Sequence, residues 1–190
     1  MNFNKHFNLK DKHAFLGASK YSWLNYDVDK LKESYISTQA KHRGTRLHEL
    51  ASELIQLGVK LPATHKTLNM FVNDAIGYRM ESEQILYYSD NCFGTADAIS
   101  YKERSKKLRI HDLKTGNTPA SMKQLYIYAA LFCLEYAIDP HQIEIELRIY
   151  QFDDVTIEIP ETTDILLIMQ KICDFDRLIE RMKEEDTTWN

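Results

Sequence analysis

Strand-like and helix-like runs alternate along most of this chain, and that order points to an α/β layout. Helical patterns fill about residues 28–57 and 66–79. Leu47, Leu50, Ala51, Leu54 and Ile55 recur at i, i+3 and i+4, so the longer helix carries an apolar stripe. An interruption is expected in it near Gly44, and Ser19 is placed to cap a short aromatic helix through Tyr21, Ser22, Trp23 and Leu24. Strands are expected at about 83–88, 93–101 and 107–113, with turns marked by Gly94 and by a basic connection. Pro119 opens a helix to about Tyr136. Two strands, at about 143–151 and 155–159, precede a final helix beyond Pro160.

With 190 residues, 44% of them hydrophobic, the chain can bury one sizeable core, and nothing in it resembles a flexible linker. The expectation is one domain over residues 1–190, helical in about its first 80. No run approaches the ~18 consecutive apolar residues that span a bilayer. The start Met1-Asn2-Phe3-Asn4-Lys5 lacks the apolar segment of a signal peptide, so no membrane partner and a cytoplasmic location are expected. Cys92, Cys133 and Cys173 are widely spaced and form no C-x-x-C pair, which reads as core thiols in a reducing compartment.

The chemistry concentrates between Phe93 and Gly116, where Asp97 is followed by Asp112-Leu113-Lys114 at the end of an apolar run. Hard cations such as Mg²⁺ take oxygen ligands and keep several waters, so one or two carboxylates plus phosphate oxygens make a coordination set. Asp97 and Asp112 offer those oxygens, and the Leu113 carbonyl is a further candidate ligand. Side chains at i and i+2 of a strand share a face, so Asp112 and Lys114 point one way and Leu113 points into the core. Lys114 supplies a compact cation where charge builds on a phosphodiester under attack. Thr115-Gly116-Asn117 ends the strand with turn chemistry.

Taken alone, D-x-K fits any solvated strand, His48 fits a hydrogen-bonded core histidine, and Gln124 with Tyr128 fits the polar edge of a core helix. Their order changes the reading. Gly44 and His48 give G-x-x-x-H, Gly94 and Asp97 give G-x-x-D, Asp112 and Lys114 give D-x-K, and Gln124 and Tyr128 give Q-x-x-x-Y. Over about residues 41–130 this series resembles the RecB-like branch of the PD-(D/E)XK nuclease superfamily. The resemblance implies a restriction-endonuclease-like core, a central mixed sheet of about five strands flanked by helices. It implies His48, Asp97 and Asp112 as ligands of Mg²⁺ or Mn²⁺, Lys114 as the catalytic lysine, and Gln124 and Tyr128 as the pair that fixes the lysine or the substrate. Glu83 stands where relatives often carry another acidic residue, with Glu81 as the alternative.

The implied activity is a metal-dependent deoxyribonuclease, an exonuclease on DNA ends or single strands in recombination, repair or phage replication, with recombination or replication proteins as partners. A nicking or structure-specific endonuclease and a non-catalytic DNA-binding protein are the alternatives. Some relatives hold an iron–sulfur cluster on four thiolates. Three scattered cysteines do not supply that set, so no cluster is expected.

A formal net charge of −4 runs against a nucleic-acid partner, and distribution has to offset it. Lys102, Arg104, Lys106, Lys107 and Arg109 crowd one connection, and Lys41, His42, Arg43 and Arg46 precede His48; both clusters are expected to flank the site. Acidic residues gather near the C-terminus at Glu180, Glu184, Glu185 and Asp186. Tyr21, Trp23, Tyr26 and Tyr35 read mainly as packing residues, with base stacking as the alternative.

Overall fold

The structure, a computed structural model, describes Phe7 and residues 13–187. The polar start at Met1–Lys5 and the side chain of Asp186 lie outside the described residues. The chain parts into two compact units, Met1–Arg43 and Gly44–Asn190. Their boundary falls inside helix α1 (Val28–Leu57), which runs unbroken through Gly44 rather than stopping there. One glycine costs an α-helix about 1 kcal/mol, too little to break a helix of this length.

In the first unit Asp27 accepts the Lys30 N–H at 2.7 Å, which satisfies one of the unpaired donors where α1 begins. The 3₁₀ segment Ala18–Asn25 is broken at Lys20, and Gly17 occupies its N-cap position without a side-chain cap, so Ser19 does not have the expected role. Trp23 donates its indole N–H to Gly17 O at 3.0 Å, and Phe15 packs edge-on against Tyr35. Trp23 and Tyr26 are half-buried, in line with packing, whereas Tyr21 and the Phe15-contacting Tyr35 are exposed.

The second unit is built on a five-stranded mixed sheet in the order β1 (Glu81–Ser89), β2 (Cys92–Lys102), β3 (Lys107–Leu113), β4 (Glu144–Gln151) and β5 (Asp154–Glu158). Short turns make β1, β2 and β3 antiparallel, and β4 and β5 likewise. Only β3 and β4 are parallel, a pairing that needs a crossover, and α3 (Lys123–Glu135) supplies it. Helices α2 (Thr67–Tyr78) and α4 (Thr162–Thr187) complete the flanks.

Period-two alternation divides β3 between two cores. Leu108 and Ile110 pack under α3 with Leu125, Ala129, Leu147 and Ile165. Leu113 belongs to the opposite core with Phe71, Val72, Ala75, Ala51 and Tyr150. Asp112 has the parity of Leu108 and Ile110, so it enters the α3 side as the polar end of an apolar row. α3 begins at Lys123, later than Pro119 suggests, because Gln151 ties down the bent loop before it. Gln151 accepts the Ala120 N–H at 2.9 Å and donates to Gly116 O and Thr118 O at 2.8 and 2.9 Å.

Where α2 crosses β3 and β4, polar side chains fill the interface. Arg148 bonds Asp74 at 3.0 Å and Tyr78 at 2.9 Å, and Tyr150 donates to Asp74 at 2.6 Å. His111 is fully buried beside Tyr150, and burial, with the Arg148 charge, holds its imidazole down to about 3. It is therefore neutral at ordinary pH. No helix among the described residues is long and apolar enough to cross a membrane.

Candidate metal centre and its lysine

The pairing of β2 with β3 runs from the hairpin tip to Ala98↔His111 and stops there. One step further, Asp97 and Asp112 stand across from one another where the two strands fork. The Leu113 N–H, freed from the ladder, donates to Asp97 Oδ2 at 2.8 Å. On the other side of β2, pairing also lapses opposite Asp97, between Ser82↔Ala98 and Gln84↔Ala96. Glu83 occupies that gap with φ 52, a left-handed backbone that costs a non-glycine residue about 1–3 kcal/mol.

His48, one turn beyond Gly44 on α1, places Nδ1 3.3 Å from Asp97 Oδ2. His48, Glu83 and Asp97 each offer a ligand atom, all within 4.8 Å of one another. Glu81, the alternative, is exposed and outside this set. The Asp97 hydrogen bond raises the His48 pKa against the opposing effect of burial, with further help from Asp97, Asp112 and Glu83 as charges. Burial and the Asp97 charge raise Glu83.

Asp112 lies outside the three-residue set, and its carboxylate is paired with Lys114. The ammonium is 3.0 Å from each carboxylate oxygen but aligned only with Oδ1, so the buried Oδ2 accepts no hydrogen bond. Asp112 is 2% exposed, and burial, reinforced by Asp97 and only partly offset by Lys114, pushes its pKa up to about 6.

From Lys114 the contacts continue into α3. Lys114 Nζ donates to Gln124 Oε1 at 2.8 Å, and Gln124 Nε2 donates to Tyr128 Oη at 2.8 Å. The i, i+4 spacing of Gln124 and Tyr128 makes that second bond available within one helix face. Since the amide nitrogen is engaged by Tyr128, the amide oxygen is the atom turned to the ammonium.

The two motif glycines are packing requirements of the same site. A Cβ on Gly44 would stand 2.7 Å from Thr115 Oγ1, next to Lys114, and one on Gly94 would stand 2.9 Å from Tyr128 Cε1. Each absent side chain therefore lets α1 or β2 approach a residue of the lysine's surroundings.

The structure brings His48, Asp97, Asp112, Lys114, Gln124 and Tyr128 into one chain of contacts, with Leu113 tied in through its N–H. The basic connection does not flank them. Lys102, Arg104 and Lys106 sit at the β2–β3 tip, and five residues of strand, about 16 Å, separate Lys102 from Asp97. Lys107 and Arg109 are committed to Glu144 and Glu146, with Lys107 2.6 Å from Glu144 and Arg109 3.1 Å from Glu146. A hairpin places its turn as far as it can from the fork at its open end, which adjacency in sequence conceals. On the acidic C-terminal helix, Glu180 accepts from Asn91 at 2.6 Å, and Asp176 accepts from Ser89 at 2.5 Å and from Asn91 at 2.8 Å.

Glu83, for which Glu81 is the alternative in the sequence, is exposed on β1, as strand alternation implies. The β1–β2 register places it opposite Asp97, and its backbone there is left-handed. The chain matches no family model, no curated protein and no solved structure.

Proposed function

We propose that this chain is a Mg²⁺- or Mn²⁺-dependent deoxyribonuclease of the RecB-like PD-(D/E)XK type, an exonuclease that acts on DNA ends or single strands. The observation that carries the proposal is the set His48, Glu83 and Asp97 beside the Lys114–Gln124–Tyr128 relay. One imidazole with two carboxylates fits a hard divalent cation, and Mn²⁺ in particular tolerates the nitrogen donor. The Oδ2 of Asp112, close to Lys114 but accepting no hydrogen bond, offers a further oxygen at the same fork, and the Leu113 carbonyl is a further candidate ligand.

A cation bound there supplies Lewis acidity toward a phosphodiester and a lowered pKa for water. The chain's own residues do the rest. Asp97 orients the His48 ring through Nδ1 and is itself fixed by the Leu113 N–H. Lys114 stations a positive charge at the mouth of the fork, where negative charge grows on the phosphoryl oxygens during in-line attack. Gln124 and Tyr128 restrict the ammonium to one position, so little reorganisation accompanies the reaction.

The test is DNA digestion with end-labelled linear duplex, single strands and covalently closed circles, each with Mn²⁺ and with EDTA. Progressive loss of linear DNA with survival of circles is expected in Mn²⁺, and none in EDTA. Nicking of circles would favour an endonuclease, and cleavage in EDTA would refute the metal chemistry.

A further inference from the structure

The β4–β5 hairpin turns on two residues, Phe152 and Asp153, both with φ 57. Two-residue hairpin turns of this left-handed kind favour Asn and Gly, and an aromatic ring at the first position is conformationally costly. Among the described non-glycine residues at positive φ, Phe152 is the one aromatic.

Asp153 holds the turn in place. Its carboxylate accepts the Thr67 N–H at 2.9 Å, where α2 begins without a local side-chain cap, and Lys66 Nζ at 2.7 Å. Its own N–H donates to Thr67 Oγ1 at 2.8 Å. Asp153 thus explains its own backbone, but nothing in these bonds needs a ring at 152, and Phe152 is 58% exposed.

That ring lines a cavity of about 310 Å³, shared with Lys114, Thr115, Gly116, Asn117 and Lys66. The volume is at the lower end of small-ligand sites, about 300–1,000 Å³. Its lining brings together the proposed catalytic lysine, an exposed aromatic residue and Gly116, where an added Cβ would meet nothing within 4 Å. A strained, exposed aromatic that lines one cavity with a phosphate-directed lysine suits a flat π-system attached to a phosphodiester.

We infer that Phe152 is a stacking platform for an unpaired nucleobase adjacent to the phosphate addressed by Lys114, so that the cavity positions single-stranded DNA or a frayed end. The inference rests on the nuclease reading above and deepens it. Stacking on an aromatic is tolerant of base identity and contributes through the base alone.

The test compares the wild-type protein with Phe152→Gly and Phe152→Tyr on a labelled single-stranded oligonucleotide in Mn²⁺, and on the same oligonucleotide made abasic at its cleaved end. Phe152→Gly should raise KM about tenfold, the order expected for one lost stack, with the loss falling on KM rather than kcat. Phe152→Tyr should restore the wild-type KM, and the abasic substrate should erase the difference between wild type and Phe152→Gly. Because glycine accepts φ 57 without strain, Phe152→Gly should also unfold at a higher denaturant concentration than wild type. An unchanged KM, a gap that persists on the abasic substrate, or a less stable glycine variant would overturn the inference, the last by making the ring a packing residue. A wild-type protein that cleaves while Phe152→Gly behaves identically defeats the stacking platform alone. One that neither binds nor cleaves the oligonucleotide defeats the nuclease reading together with it.

Discussion

Gly94 and Tyr128 meet so closely that a Cβ on residue 94 would lie 2.9 Å from the tyrosine ring at Cε1. β2 and α3 are thereby joined at the residue whose hydroxyl orients Gln124, and through Gln124 the proposed catalytic lysine. Gly94→Ala should displace the Tyr128 ring, destabilise the fold by about 1–3 kcal/mol as overpacking does, and lower turnover beyond what the stability loss explains. Denaturant melts beside DNA cleavage rates check this. Wild-type values for both would show that the ring moves aside freely.

Metal binding should depend on Glu83 as well as on His48 and Asp97. Mn²⁺ at about 100 times its dissociation constant should stabilise the protein by about 2.7 kcal/mol, seen as a rise in melting temperature. Glu83→Gln should shrink that rise while leaving the metal-free melting temperature close to wild type. If Glu83→Gln responds to Mn²⁺ as the parent does, the three-residue set is not the binding unit.

Turnover should fall in a graded order along the relay. Lys114→Ala removes the charge itself and should cost about 10²–10³ in kcat, the scale for losing one donor aimed at a developing oxyanion. Gln124→Ala leaves the ammonium bound to Asp112 alone and should cost less, and Tyr128→Phe, which removes only the acceptor for Gln124 Nε2, least of all. Single-turnover rates at saturating DNA give the order. A Tyr128→Phe variant slower than Lys114→Ala would place the chemistry elsewhere.

Asp112 should make the metal-free protein less stable at neutral pH. Its carboxyl, pushed up from 3.8 to about 6, favours the protonated folded form. The stabilisation is fully present below about pH 4 and is lost as pH rises through about 6, and His48, whose pKa is also raised, acts with the same sign at higher pH. A carboxyl displaced that far corresponds to about 3 kcal/mol. Asp112→Asn should therefore stabilise the metal-free protein at pH 7 by about 1–3 kcal/mol, reduced by the lost Lys114 pair, and should not do so near pH 4. Denaturant melts in EDTA at the two pH values check the sign. Destabilisation by Asp112→Asn at pH 7 would mean that the Lys114 pair outweighs desolvation.

The sequence alone determined the order of strands and helices, because periodicity is a local property. Leu108, Ile110 and Leu113 already show where β3 lies, and the spacing of Gln124 and Tyr128 already puts them on one helical face. The i, i+2 rule likewise set Lys114 beside Asp112, as observed at 3.0 Å. Tertiary structure alone decided what depends on distant segments. The start of α3 at Lys123 follows from Gln151, almost thirty residues later. The basic hairpin tip lies far from the fork because antiparallel strands carry their turn away from their open end. Glu83 stands by His48 and Asp97 through the β1–β2 register, in a gap of that ladder where its backbone is left-handed. Local residue types carry no record of such long-range geometry, since a lapse in strand pairing is a property of two strands and not of either sequence.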